Sequence, residues 1–234
     1  RLAAVQSSDI EQLHETNPLR DGLSESNPQR FRVERPKSSF ASWYQFFPRS
    51  EGAYYGEDGK IVPGNLKTSI AGLERAAAEG FNIVYLPPIF PIGVTNRKGR
   101  NNSLVAGPND PGSPFGIGSE LGGHDTVDPQ LGTMDDFKAF CERAHELGLE
   151  IALDFALQCS PDHPWVKAHP NWFRTKPDGT IAFAENPPKK YQDIYPIDFN
   201  ADMEGIEKEV ERIMDLWVKA GVTIFRVDNP HTKP

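Results

Sequence analysis

Apolar and amphipathic segments alternate along this chain of 234 residues. The apolar segments are short, rich in β-branched and aromatic residues, and end at Pro or next to an acidic residue, as buried strands often do. They predict strands at 43–48, 82–86, 150–155 and 222–227. The amphipathic segments repeat their apolar residues every three or four positions and predict helices at 68–79, 134–147 and 203–220. A helix between each strand and the next indicates an α/β fold with parallel strands.

Two long irregular stretches interrupt this alternation, and both follow predicted strands. Residues 88–133 form a Gly-rich loop after the second strand, and residues 156–200 form a Pro-rich and aromatic excursion after the third. Barrel enzymes keep their chemistry in the loops that follow strands. An open doubly wound sheet would usually carry a Gly-rich phosphate turn after an early strand, and this sequence shows none.

The pattern therefore predicts the first four β/α units of a (β/α)8 TIM barrel, with a small inserted domain after strand 3. The expected parts are residues 1–34 as the tail of a preceding domain and linker, 35–155 as barrel, 156–200 as the insert, and 201–234 as barrel continued.

Composition and charge restrict the classes of partner that the protein could bind. A net charge of −8 without a long basic cluster argues against nucleic acid, and no apolar run approaches the roughly 18 residues of a membrane-spanning helix. The two cysteines, Cys141 and Cys159, fit no metal-binding spacing and suit a reducing cytoplasm. Asp193 and Asp198 could serve as calcium ligands, but a lone pair of acids is usually a solvated surface. Neither a metal nor a cofactor is expected.

The fourth predicted strand ends with two opposite charges. Arg226 and Asp228 are two residues apart, so their side chains point to the same face of a strand. Removing such charges from water is costly unless they are paired. Two interpretations remain open: a structural ion pair at a strand end, or an active-site carboxylate that an arginine holds ionised at the mouth of a barrel.

Six motifs, in their order along the chain, carry a resemblance to a known family. They are residues 41–50, 96–102, 123–133, 153–154, 185–196 and 225–228. Together they resemble the catalytic barrel of the α-amylase superfamily, glycoside hydrolase family 13, over about residues 31–234. Within that superfamily the chain is most similar to the branch of maltosyltransferases that use maltose 1-phosphate.

The resemblance implies a retaining double displacement. Asp228 would be the nucleophile that forms a glycosyl-enzyme ester, and Arg226 would hold it ionised. The family's acid/base Glu and a third carboxylate lie on later strands, outside this chain. We therefore expect the 234 residues alone to be inactive as a transferase.

The same resemblance implies a donor, maltose 1-phosphate, and an acceptor, α-1,4-glucan. Phosphate contacts are assigned to residues of the types that a leaving phosphate needs, namely a point charge with hydroxyl and amide donors. The implied phosphate ligands are Asn186, Lys189, Tyr191 and Asn229, the implied maltosyl contacts are Lys98 and Gln158, and the implied subsite beside the cleaved bond holds His124 and Asp125.

Departures from hydrolytic amylases support the narrower resemblance. Many amylases have Asn-His where this chain has Gln158 and Cys159, and a Tyr where it has His124. Three of the implied site residues have a plainer interpretation when the resemblance is set aside. Asn186 would be a turn residue, Tyr191 a core residue and Lys98 a solvated charge.

Two alternative functions stay open. One is an α-glucan hydrolase or trehalose synthase of the same superfamily, which would lack the phosphate site. The other is a non-catalytic glucan-binding protein, which would lack the acid/base Glu. The family resemblance also implies a homodimer, and the cysteine usage favours a cytoplasmic location.

Overall fold

The computed structural model describes residues 7–18, 20, 22–24 and 26–233. The chain divides into two units, residues 1–39 and 40–234. The first unit contains helix α1 (Ser8–Thr16) and the short helix α2 (Pro36–Ser39), and none of the residues of these two helices is buried. The second unit contains the sheet and the helices that carry the candidate chemistry.

The second unit is organised around one parallel sheet. Its strands are β1 (Trp43–Gln45), β4 (Ile83–Leu86), β5 (Glu150–Phe155) and β10 (Ile224–Val227), and they lie side by side in that order. All three neighbouring pairs are parallel. The four predicted strands and their parallel arrangement are therefore confirmed.

Helices connect these strands in sequence. They are α3 (Ile70–Ala78), α4 (Met134–Glu146) and α6 (Met203–Lys219), each within two residues of its predicted bounds. Helix α4 begins with a capping box, in which the Thr133 side chain accepts from the Asp136 backbone N–H and the Asp136 side chain accepts from the Thr133 backbone N–H. Helix α6 buries Ile206, Ile213 and Trp217 along one stripe.

The two faces of the sheet differ in chemistry because side chains alternate along a strand. Ile151, Leu153 and Phe155 of β5 belong to the same apolar cluster as the buried residues of α4, including Phe137 and Phe140. The opposite face of β5 carries Asp154. The apolar face is covered by helices, and the other face faces the interior of the barrel.

One expectation for the fourth strand is wrong. The apolar run 222–227 predicts a buried strand, yet the residues of β10 are half-buried or exposed. Within the part of the chain that the structure describes, β10 has one strand neighbour, β5, and is an edge of the sheet. Its β-branched and aromatic residues therefore meet only one strand, while Val222 just before it is buried.

Shorter elements lie in the loops that follow the strands. After β1, β2 (Tyr54–Tyr55) pairs with β3 (Ile61–Val62). Helix α5 (Pro164–Ala168) and four short strands lie in the excursion. These strands form two antiparallel pairs, β6 (Gln158–Cys159) with β9 (Tyr195–Pro196), and β7 (Ala184–Asn186) with β8 (Lys189–Tyr191). The proposed division at residues 34, 155 and 200 stays a prediction.

The excursion packs into the main core. Trp165, Trp172, Phe173 and Ile197 are buried in the same cluster as the strands of the sheet. None of the described helices combines the length and the apolar character needed to cross a membrane.

Gly118 and Gly179 have similar backbone conformations but different surroundings, so substituting each one tests how tightly its loop is packed. Gly118 (φ +101°) and Gly179 (φ +82°) both have left-handed backbones, but a Cβ on Gly118 would overlap the His163 ring, whereas one on Gly179 would have no described atom within 4 Å. Gly179→Ala should cost about 1–2 kcal/mol from backbone strain alone. Gly118→Ala should cost a further ~1–3 kcal/mol for the overlap. Urea-unfolding midpoints of the two variants measure the difference, and equal losses would contradict this packing.

Candidate active site

Opposite charges from two neighbouring strands meet at the carboxyl end of the sheet. Arg226 of β10 lies in register with Asp154 of β5. Its Nη1 donates to Asp154 Oδ2 at 3.0 Å and to Asp228 Oδ1 at 2.6 Å. The Nδ2 of Asn229 donates to the other oxygen of Asp228 at 2.8 Å. Both oxygens of Asp228 are thus oriented by charged or amide donors.

The two carboxylates that share Arg226 have different surroundings. Asp154 is fully buried, and its Oδ1 has no hydrogen-bond partner among the described residues. Burial raises the pKa of Asp154 to about 6, against the hydrogen bond from the Tyr85 hydroxyl and the charge of Arg226, which lower it. Asp228 keeps part of its side chain exposed and lines a cavity. Asp228 is therefore the carboxylate that a substrate can reach.

The cavity beside Asp228 has a volume of about 700 Å³. This lies within the range of roughly 300–1,000 Å³ that is typical of small-molecule sites. Its walls come from the excursion, from the long loop after β4 and from the segment after β10. Five predicted site residues line it: Gln158, Asn186, Tyr191, Asp228 and Asn229.

The other predicted residues are not among those that line this cavity. Lys98 is buried and donates from Nζ to Gln192 Oε1 at 2.6 Å. Lys189 is exposed and pairs with Asn186 in the β7–β8 hairpin, which places its backbone beside a residue of the cavity wall. Asp125 forms an ion pair with Arg212 of helix α6 at 2.8 Å.

His124 is buried in a hydrogen-bonded chain. The backbone N–H of Trp165 donates to His163 Nδ1, His163 Nε2 lies 3.0 Å from His124 Nδ1, and His124 Nε2 lies 2.8 Å from the carbonyl oxygen of Ala156. A carbonyl only accepts, so the chain is satisfied when both rings are neutral and each donates from Nε2.

The lowered pKa values of both histidines agree with neutral imidazole rings. Burial lowers the pKa of His124 to about 4, and burial lowers that of His163 further. The His124 ring also stacks on Trp165 at 4.9 Å between centroids. His124 thus holds the end of the third strand, two residues before Gln158.

Asp193 belongs to the site, although sequence reasoning treated it only as half of an unconvincing calcium pair. Its side chain is buried, it lines the cavity, and its Oδ1 has no partner among the described residues. Burial raises the pKa of Asp193, while the charge of Lys98 lowers it. An unpartnered carboxylate oxygen in a cavity wall suits the hydroxyl group of a bound sugar. The signal in the sequence is its position inside the motif 185–196, which carries part of the family resemblance.

Among the described residues, no cluster of three or more His, Cys, Asp or Glu side chains could hold a metal ion. The chemistry that the geometry offers is that of an oriented carboxylate with amide, hydroxyl and carboxylate groups around it.

Known proteins match the chain along its whole length. It is 84% identical over 235 residues to a protein named alpha-1,4-glucan:maltose-1-phosphate maltosyltransferase from Bifidobacterium longum, covering 100% of this chain and 32% of that protein. A protein of the same name from Mycolicibacterium smegmatis is 55% identical over 234 residues, covering 100% of this chain and 33% of its own length. The chain spans about a third of the length of these curated relatives. No protein-family model matches it.

Solved structures share the fold. A maltogenic alpha-amylase from Thermotoga neapolitana superposes with a TM-score of 0.62 at 28% identity, covering 82% of this chain and 40% of that one. An alpha-amylase from Lactobacillus plantarum gives 0.59 at 30% identity, covering 80% and 38%. The predicted partial barrel and the resemblance to the α-amylase superfamily and its maltosyltransferase branch are both confirmed.

Proposed function

We propose, from this shared sequence and barrel fold, that the protein transfers maltosyl units from α-maltose 1-phosphate to the non-reducing end of α-1,4-glucan and releases phosphate. The observation that carries the proposal is Asp228, held by Arg226 and Asn229 at the wall of a substrate-sized cavity. The names of these relatives supply the donor and the acceptor. The activity is proposed for a form with the length of those relatives, called the full-length form below.

The reaction would proceed by two displacements with net retention. An oxygen of Asp228 attacks C1 of the maltosyl unit, the bond from C1 to the phosphate oxygen breaks, and phosphate leaves with the bonding electrons. The 4-hydroxyl of the acceptor then attacks C1 of the ester, which returns the carboxylate. The group that protonates the departing phosphate, and whose conjugate base then takes the hydroxyl proton, is proposed to lie on a later strand. Arg226 orients the carboxylate of Asp228 for this reaction through its hydrogen bond to Oδ1.

The donor phosphate is proposed to bind where amide and hydroxyl donors converge. Asn186, Tyr191 and Asn229 line the same cavity as Asp228. Lys189, paired with Asn186 across the hairpin, can bring its ammonium group over the rim. A dianion needs such donors because Asp228 and Asp193 would otherwise repel it.

The maltosyl unit is proposed to contact Gln158 and Asp193 directly, with Lys98 beside them through Gln192. His124 and Asp125 are proposed to shape this subsite from behind, because His124 holds the Ala156 carbonyl and Asp125 holds Arg212.

Location and assembly are further proposals. The two cysteines are both free thiols, which is compatible with a reducing cytoplasm. A homodimer is proposed on the basis of the family resemblance.

The assignment predicts that phosphate release and chain growth occur together. The full-length form, given maltose 1-phosphate and a maltohexaose acceptor, should release one phosphate for each maltosyl unit added, and Asp228→Asn should stop both. Phosphate assay and mass spectrometry of the glucans measure the ratio. Hydrolysis is the rival, because solved alpha-amylases share 28–30% identity with the chain. Shortening of the glucan without phosphate release would establish hydrolysis instead.

The phosphate site predicts a loss that depends on the leaving group. A hydrogen bond to a charged group contributes about 1.5–3 kcal/mol. Lys189→Ala should therefore lower kcat/KM for maltose 1-phosphate by about 10- to 150-fold, at 1.36 kcal/mol per decade. With maltosyl fluoride, whose leaving group is too small to reach Lys189, the loss should be only about a few-fold. Tyr191→Phe should show the same selectivity more weakly.

The neighbouring lysine provides the control. Lys190 is exposed in the same strand and lies 3.9 Å from Glu185, facing the opposite side of the hairpin from Lys189. Lys190→Ala should leave both donors within about twofold. Equal losses on both donors for Lys189→Ala would show that Lys189 only supports the loop.

A further inference from the structure

Tyr85 touches both partners of the ion pair that holds Asp228. It lies on β4, in register with Ala152 of β5, so its side chain shares a face with Asp154. Its hydroxyl donates to Asp154 Oδ2, the same oxygen that accepts from Arg226 Nη1. The guanidinium carbon of Arg226 lies 5.8 Å from the centre of the Tyr85 ring.

We propose that Tyr85 is a positioning residue for the nucleophile, because its hydroxyl keeps Asp154 an ionised acceptor that draws one N–H of Arg226 away from Asp228. This inference rests on the proposed function for its effect on rate. Tyr85 is not among the residues that line the cavity, so the proposal gives it no direct contact with the donor.

The geometry shows why one hydroxyl matters. Nη1 of Arg226 has two hydrogens and two acceptors, Asp154 Oδ2 and Asp228 Oδ1. With Asp154 ionised, the guanidinium is divided between two carboxylates and makes a single bond to Asp228. With Asp154 neutral, the guanidinium can turn and bind Asp228 with both arms, which withdraws charge from the attacking oxygen.

The pKa of Asp154 lies close to neutral pH, so a small shift changes how much of this side chain is ionised. The groups that act on its titration are Tyr85 on β4, with Arg226 and Asp228 at the end of β10. Burial already raises the pKa of Asp154 to about 6, and the bond from Tyr85 is the largest influence that lowers it. Loss of the hydroxyl should raise that pKa further, so that Asp154 is partly protonated at neutral pH.

Tyr85→Phe in the full-length form tests this idea through the pH profile. The acid limb of kcat should move to higher pH by about one unit, a loss of about fivefold at pH 6 that largely recovers by pH 9. KM for maltose 1-phosphate should stay within about twofold, because no substrate contact is removed. A purely structural role would instead lower kcat by the same factor at every pH, and that result would overturn the proposal.

Tyr44→Phe is the matched control. Tyr44 lies on β1, and its hydroxyl accepts from Arg75 Nε at 3.0 Å, away from Asp154. Its removal should leave the acid limb in place. In an Asp154→Asn background, Tyr85→Phe should add no further pH dependence, because the titrating partner is gone. A further shift of the acid limb in that background would also overturn the proposal.

Thermal stability gives a readout that needs no activity. The hydroxyl stabilises the ionised form of Asp154, so its removal should cost more where Asp154 is ionised. The difference in Tm between wild type and Tyr85→Phe should grow as the pH rises from 4 to 8 through the pKa of about 6. A constant difference would refute the link to Asp154. A full-length wild type without transferase activity would instead refute the proposed function, whatever the Tm values show.

Discussion

The site depends on a single arginine shared between two carboxylates on adjacent strands. Asp154 is fully buried, and an unpaired buried carboxylate would be strongly destabilising. Arg226 offsets that cost only when β10 lies beside β5 in the observed register, with Arg226 opposite Asp154. The same register places Asp228 at the strand end, where Arg226 can hold it. Sheet pairing and the orientation of Asp228 are therefore one structural requirement.

The loops around this pair are held by buried polar groups. The His163–His124–Ala156 chain binds the loop after β4 to the end of β5, and Lys98 reaches Gln192 beside Asp193. These bonds join the two long irregular stretches that form most of the cavity wall. The side chains that hold the irregular backbone, His124, His163 and Lys98, are buried and are not among the residues that line the cavity.

Local patterns in the sequence carried much of this structure. The alternation of apolar and amphipathic segments was enough for the strands and helices, and the two-residue spacing was enough to bring Arg226 and Asp228 together. Cross-strand partners were not predictable, because the register that brings Asp154 and Tyr85 to Arg226 is set between segments some 70 residues apart along the chain. Asp193 resembled a solvated acid because its burial also depends on segments that are far apart along the chain. The burial of His124 depends on stacking with Trp165, which lies in another loop.

The central claim is that Asp228 is the carboxylate that attacks the sugar, and trapping the ester tests it most directly. A 2-deoxy-2-fluoro-maltosyl fluoride slows the second displacement more than the first, so the glycosyl-enzyme ester accumulates. The full-length form should gain the mass of one fluoromaltosyl group, and peptide mapping should locate it on Asp228. An adduct on another residue, or turnover of natural donor that persists in Asp228→Ala, would contradict the account.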